Sequence, residues 1–315
     1  MIDRAERCAV QAGLRGDPML GTAFPASRLL LVEQPGPWGR AGLLDSRFDR
    51  AVAHRLVARL DREGVRVISI RRPGRTTTAS PRRWAVSDSR PGRERLVWGS
   101  FDRDEDLLDV DPSAILDAAS EGYRPSAAGH VDDRRVSDTP LYAVCAHGTH
   151  DACCAIRGRP IAAALNRVRP GQVWECSHVG GDRFAANVLV LPLGLLYGRV
   201  VESLAEQLVV TTESGGVLEQ NLRGRVGFPP DVQAAMSLVH REIPESGVFD
   251  VAVIGTGRRS ADTTAVRLTV RGEPVEVLVR VAQSSTQWLT CQTEHPSRAK
   301  VYQPVSLHRV SIPAS

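Results

Sequence analysis

LYAVCAHGTHDACCAIRGRPIAAALNRVRPGQVWEC, residues 141–176, is the stretch whose reading decides the fold. It opens with a β-prone apolar run, Leu141 to Cys145, and turns through AHGTHDA. Apolar residues then recur at helical spacing from Asp151 to Arg167, and a second strand-like run follows from Gln172 to Cys176. Downstream, Asn187 to Leu191 and Leu195 to Val200 read as a hairpin, and Glu202 to Val209 as a helix. Strand, helix, strand, antiparallel hairpin and helix is the order of a thioredoxin-like unit, a mixed sheet covered by helices.

Working outward, the same order recurs upstream. Strands are expected at 28–33, 65–70, 83–87 and 95–99, with one helix over Ser46 to Leu60 and another over Asp111 to Ala119, the latter opened by Asp111 as N-cap and Pro112 at the first helical position. The sequence therefore predicts an α/β protein of two thioredoxin-like halves, residues 1–124 and 139–225, an internal duplication rather than a solenoid. Pro125 to Asp138, polar and without apolar periodicity, reads as the linker between them. From about Asp231 a third segment, 231–315, reads as one amphipathic helix and alternating strands at 249–254, 264–270 and 274–281.

Composition narrows the function classes. The 315 residues are 42% hydrophobic, enough for a globular core, and 27 glycines and 20 prolines suit a loop-rich α/β protein better than a helical bundle. Forty basic residues face 36 acidic ones, nearly all the former being arginine, and they come in scattered pairs such as Arg71–Arg72 and Arg258–Arg259. No basic stripe or motif marks a nucleic-acid binder. The start of the chain has no signal-peptide pattern, and the most apolar stretch, FAANVLVLPLGLLYG, is broken by Pro192 and Gly194, so no membrane span is expected and a cytoplasmic location is. GTGRRS near residue 255 lacks either phosphate-loop pattern.

Four of the six cysteines lie between positions 145 and 176, which in a chain without a secretory signal points to metal or redox chemistry rather than structural disulfides. Cys145 ends a strand and Cys153 and Cys154 begin the following helix, whose N-terminus favours thiolate. Cys176 and His178 sit at the end of the next strand, where open α/β sheets gather functional loops, and Gly180 and Gly181 give the turn backbone freedom. Asp182 follows. Two thiolates, an imidazole and one more oxygen or sulfur suit an iron-sulfur cluster or a tetrahedral zinc.

The stretches VCAHGTHDACCAIRGRPIAAAL and VWECSHVGGDRFAANVLVLPLGLLYGR resemble the signature of the sucrase/ferredoxin-like family, whose eukaryotic relatives are thioredoxin-like ferredoxins with a 2Fe-2S cluster. VEQPGPWG and GTAFP resemble its bacterial members, so the likeness covers most of the chain. The resemblance implies a cluster held by two cysteines with eight residues between them, matched by Cys145 and Cys154, and by an HxxxH pair, of which His178 is the first member and Asp182 stands at the second. Asp182 ranks first as fourth ligand, Cys176 second and Cys291 third.

The leading expectation is a ferredoxin-like electron carrier with a 2Fe-2S cluster, serving a redox partner protein and neither nucleic acid nor membrane. A thiol-disulfide oxidoreductase using Cys145 or Cys154, and a structural zinc module, are the alternatives. No carboxylate pair supports sugar hydrolysis. Beside these, Cys8 and Cys291 are expected as isolated core thiols, Cys153 as a small buried residue, and His147 and His150 as solvated loop residues ahead of a role in shielding or protonating the site. Arg157, Arg159 and Arg183 are expected to flank the ligand loops, either steering an acidic electron donor or forming an ordinary charged rim, Trp38 and Trp174 as core aromatics near the site, and the N-terminal half as a scaffold or docking surface.

Overall fold

A computed structural model describes residues 7–74, 80–120, 135–137 and 139–310. It contains, in order, α1 (Cys8–Leu14), β1 (Arg28–Glu33), α2 (Arg50–Arg62), β2 (Val65–Arg71), β3 (Arg82–Asp88), β4 (Arg95–Phe101), α3 (Pro112–Ser120), β5 (Arg135–Val136), β6 (Leu141–Cys145) and α4 (Ala152–Val168). Then come β7 (Val173–Cys176), β8 (Val188–Leu191), β9 (Leu195–Tyr197), α5 (Ala205–Glu213), β10 (Leu222–Arg225), α6 (Pro230–Glu242), β11 (Val251–Arg258), β12 (Thr263–Val270), β13 (Glu273–Gln283) and β14 (Lys300–Arg309).

Both halves use one strand plan. β1 pairs parallel with β2 and antiparallel with β3, which pairs with β4. β6 repeats this with β7, β8 and β9. The halves do not form two separate sheets: they join through β2 and β7 into one ten-stranded mixed sheet, β10-β9-β8-β6-β7-β2-β1-β3-β4-β5. Of the expected linker, 125–134 and 138 lie outside the described residues, and Arg135–Val136 is the short edge strand β5 rather than linker.

β2 and β7 are antiparallel and overlap only at their C-terminal tips, Ile70 opposite Cys176 and Arg71 opposite Glu175. The loops after both parallel pairs therefore converge on one seam. The sheet curls so that inward-facing side chains of both halves share one core, including Leu29, Leu31, Ile68, Ala143, Trp174 and Leu189. Trp98 on β4 stacks on Trp174 of β7 with centroids 5.5 Å apart, which places Trp174 in this core rather than beside the loops. Outward-facing residues alternate with these and pack under α2 and α3 in one half and under α4 and α5 in the other. With both faces covered, strands such as Leu29–Val32 and Val188–Leu191 are continuous apolar runs.

The last segment is an antiparallel meander, β11-β12-β13-β14, whose buried face closes over α6 through Val232, Met236 and Val239. Besides β5, three further elements were not expected from sequence: α1, β10 and β14.

The helix that matters for the loops is α4. Asp151 caps it, its carboxylate accepting from the Cys153 amide at 2.8 Å. One turn beyond Cys154, Gly158 lies against the backbone carbonyl of Cys145, where a Cβ would overlap the oxygen. A bare residue there is what lets α4 approach the end of β6. Gly158→Ala is expected to lower stability by about 1–3 kcal/mol through overpacking, measured as the denaturant midpoint. Gly257→Ala, facing open space, should stay within about 0.5 kcal/mol.

Candidate functional site

At the seam the donor atoms of Cys145, Cys154 and His178 lie within 4.8 Å of one another. Cys145 is the last residue of β6, Cys154 is in the first turn of α4, and His178 follows β7 by two positions. Asp182 completes a ring of contacts. Its Oδ1 is 3.2 Å from Cys154 Sγ and 3.0 Å from His178 Nδ1, while the Cys145 thiol hydrogen-bonds with both Cys154 and His178. The ring has a thiol pair on one side and an imidazole–carboxylate pair on the other.

The electrostatics follow from this closure. Burial opposes a charged imidazole, but the Asp182 carboxylate and the Cys145 thiol outweigh it and raise the His178 pKa to about 9. The Cys145 pKa is held well below its ordinary value by the hydrogen bond from Cys154, against burial, with His178 contributing as well. Cys154 is shifted upward by the same hydrogen bond to Cys145, by burial and by Asp182. In the metal-free ring these shifts favour the charged forms of Cys145 and His178 and the neutral form of Cys154.

Both histidines of the loop after β6 belong to the site, against the expectation of solvated loop residues. His147 is buried, and its Nδ1 accepts from the His178 amide at 3.1 Å. Its Nε2 therefore carries the proton and donates to Gly39 O at 2.6 Å. His150 stacks on His178 with centroids 3.7 Å apart and shares a potential metal-holding group with His178 and Asp182. The signal was present in HGTH, two histidines in the loop between the cysteines, but a loop histidine is ordinarily solvated.

The N-terminal half closes the site. Its QPGPWGR loop, residues 34–40, supplies Gly39 O to His147, Trp38 O to Thr149 and Arg40 O to His150, and Trp38 meets His147 edge-on at 5.8 Å. Arg71 fastens this loop, donating to Gly36 O at 2.7 Å, lying over the Trp38 ring and pairing with Glu175 at 2.7 Å. Arg66 donates to His178 O at 3.0 Å. Below the 178–187 turn, fully buried Arg223 of β10 donates to Gly180 O and Asn187 Oδ1, both at 2.8 Å. Gly181, at φ +73, leaves room for that guanidinium.

Two of the three candidates for fourth ligand lie outside the ring. Cys176 is fully buried behind Cys145, in the shared core, and burial pushes its thiol pKa up. Cys291 is held elsewhere, beside Cys8 and Cys153, so neither Cys8 nor Cys291 is the isolated thiol expected. Arg183 is no rim residue: it is largely buried over Phe184, 3.7 Å from Asp17. Arg157 and Arg159 are exposed on α4.

The raised His178 pKa makes a pH prediction for the metal-free protein. A histidine whose folded pKa lies above its unfolded value contributes stability that is complete below about pH 6.5 and is lost as pH rises through about 9. NMR titration of the imidazole protons should show His178 titrating near pH 9, and Asp182→Asn should bring it down.

Among the described residues no helix is long and apolar enough to cross a membrane. Comparison with curated proteins gives no match, and comparison with solved structures gives none. The sucrase/ferredoxin-like family model matches residues 19–224, from before β1 into β10 and so across both halves and every residue of the ring. The chain belongs to the sucrase/ferredoxin-like family.

Proposed function

We propose that the protein is a ferredoxin-like electron carrier whose Cys145, Cys154, His178 and Asp182 hold a 2Fe-2S cluster. The observation that carries this reading is the pairing within the ring: two thiols on one side, an imidazole and a carboxylate on the other. Such a donor set divides two and two, as a two-iron cluster with mixed ligation requires. The cluster would supply one-electron transfer. A carboxylate is a hard ligand for iron, and Asp182 is assigned because it completes the ring while Cys176 and Cys291 do not.

The chain's own residues do the rest. His178 is only partly buried and is the ring member nearest solvent, with His150 stacked on it, so electrons would enter and leave through these two imidazoles toward a redox partner protein. Imidazole ligation carries less negative charge than thiolate and raises the potential. His178 also holds a proton that an oxidised site releases more readily than a reduced one, which couples electron to proton. His147, locked between Gly39 O and the His178 amide, positions the turn and takes no proton itself.

Anaerobically purified protein should be red-brown, with two irons per chain and an electron-paramagnetic signal on reduction. Cys145→Ala, Cys154→Ala and Asp182→Ala should each abolish or strongly reduce iron binding, while Cys176→Ala and His150→Ala retain it. Colourless protein with zinc in the ring would overturn the reading. Retention in Asp182→Ala with loss in His150→Ala would move the fourth ligand to His150. The midpoint potential should fall with rising pH between about 6 and 9; a flat profile would remove the proton coupling.

A further inference from the structure

A second group of thiols lies on the other side of α4. Cys8 Sγ is 3.7 Å from Cys153 Sγ, which is 3.6 Å from Cys291 Sγ. The Asp151 carboxylate approaches Cys8 Sγ at 3.7 Å. All four donor groups lie within 4.8 Å of one another. Cys8, Cys153 and Asp151 are almost wholly buried. Cys8 and Cys291 also line an open cavity of about 450 Å³ with Gln11, Arg15 and Trp288, which gives an ion a way in from solvent.

We infer that Cys8, Cys153, Cys291 and Asp151 form a second metal site, for one zinc-type divalent ion. A tetrahedral ion with metal–sulfur bonds of about 2.3 Å places its sulfurs about 3.8 Å apart. The Cys153–Cys291 and Cys8–Cys153 sulfur separations, 3.6 and 3.7 Å, match that edge. Three thiolates and one carboxylate around a single point suit one ion; a two-iron cluster would have to divide them. Asp151 is already aimed. Its Oδ1 accepts from the Cys153 amide at 2.8 Å, and its Oδ2 from the Cys291 amide at 2.7 Å and Thr290 Oγ1 at 2.8 Å, which holds the carboxylate in place and leaves a lone pair on Oδ1 for a metal. A disulfide would satisfy only two of the three thiols, and needs sulfurs at about 2.05 Å.

The ligands come from three distant parts of the chain: α1, the start of α4 and the loop between β13 and β14. An ion there ties the chain's first described helix and its last segment to the helix that carries Cys154, so metal binding would contribute to folding stability. Cys153 and Cys154 are adjacent, about 100° apart around α4, and each faces its own site.

The test separates the two sites. In full-length protein with Cys145→Ser and Cys154→Ser, grown with zinc, elemental analysis should find about one zinc per chain, and X-ray absorption at the zinc edge three sulfurs and one lighter atom. Cys8→Ser with Cys291→Ser should lower zinc to below about a tenth of that while leaving iron in the ring unchanged. Should either variant fail to fold, the coordination number read on wild-type protein decides, because zinc lodged in the ring would show two sulfurs. Zinc absent from all forms, zinc with two sulfurs, or an oxidised thiol pair found by mass spectrometry without reductant would each overturn the second site. Two-sulfur zinc in wild-type protein would count against the iron reading of the ring as well; the other outcomes leave the iron content of the ring untouched, so there the two readings fail separately.

Discussion

The bare backbone of Gly158 against the carbonyl of Cys145 is the contact on which the rest of the site depends. Residues i and i+4 share a helix face, so the glycine that admits α4 to the end of β6 also aims Cys154, four positions earlier, at Cys145. A side chain at 158 would hold the helix off by the width of a methyl group. The ring of Cys145, Cys154, Asp182 and His178 would then open at its thiol edge, and the depressed Cys145 pKa, which rests first on the hydrogen bond from Cys154, would lose its main cause.

The seam does for the loops what Gly158 does for the helix. Because β2 and β7 overlap only at their tips, the functional ends of both halves face each other rather than lying at opposite ends of a long sheet. The N-terminal half, which has no cysteines in the loops that follow its parallel strands, gives carbonyls instead: Gly39 O, Trp38 O and Arg40 O hold the three polar residues of HGTH. Arginines of β2 and β10, part-buried in the first and fully buried in the second, complete the frame. Arg66, Arg71 and Arg223 each bind a backbone carbonyl near the site, and a charged donor leaves no such carbonyl unpaired in a dry interior.

Much of this was legible in the sequence, and the failures have physical causes. The strand–helix–strand order was readable because both faces of the sheet are covered, which writes strands as plain apolar runs and lets Asp151 and Asp111 mark helix starts. β10, LRGR, reads as a polar loop because its arginines are buried by partners distant in sequence, Thr22, Gly180 and Asn187, that no local pattern reveals. β14 carries Pro304, which argues against a strand unless the strand is an edge, as this one is. The convergence of Cys145, Cys154, His178 and Asp182 was visible from spacing and resemblance. That of Cys8, Cys153 and Cys291 was not, because it depends on how a seven-residue helix and a loop near position 290 come back to α4.

The carboxylate of Asp151 has a consequence for how the molecule is made. One oxygen caps α4 through residues made at almost the same moment, so that helix can start as soon as it is synthesised. The other accepts from Thr290 and Cys291, which leave the ribosome only after about 140 further residues, some seven to thirty seconds at ordinary elongation rates. Until then the start of the helix that carries Cys154 keeps an open flank, while every member of the ring, the last being Asp182, has long been synthesised. A cofactor delivered early would therefore meet a complete ring on an unfinished helix start.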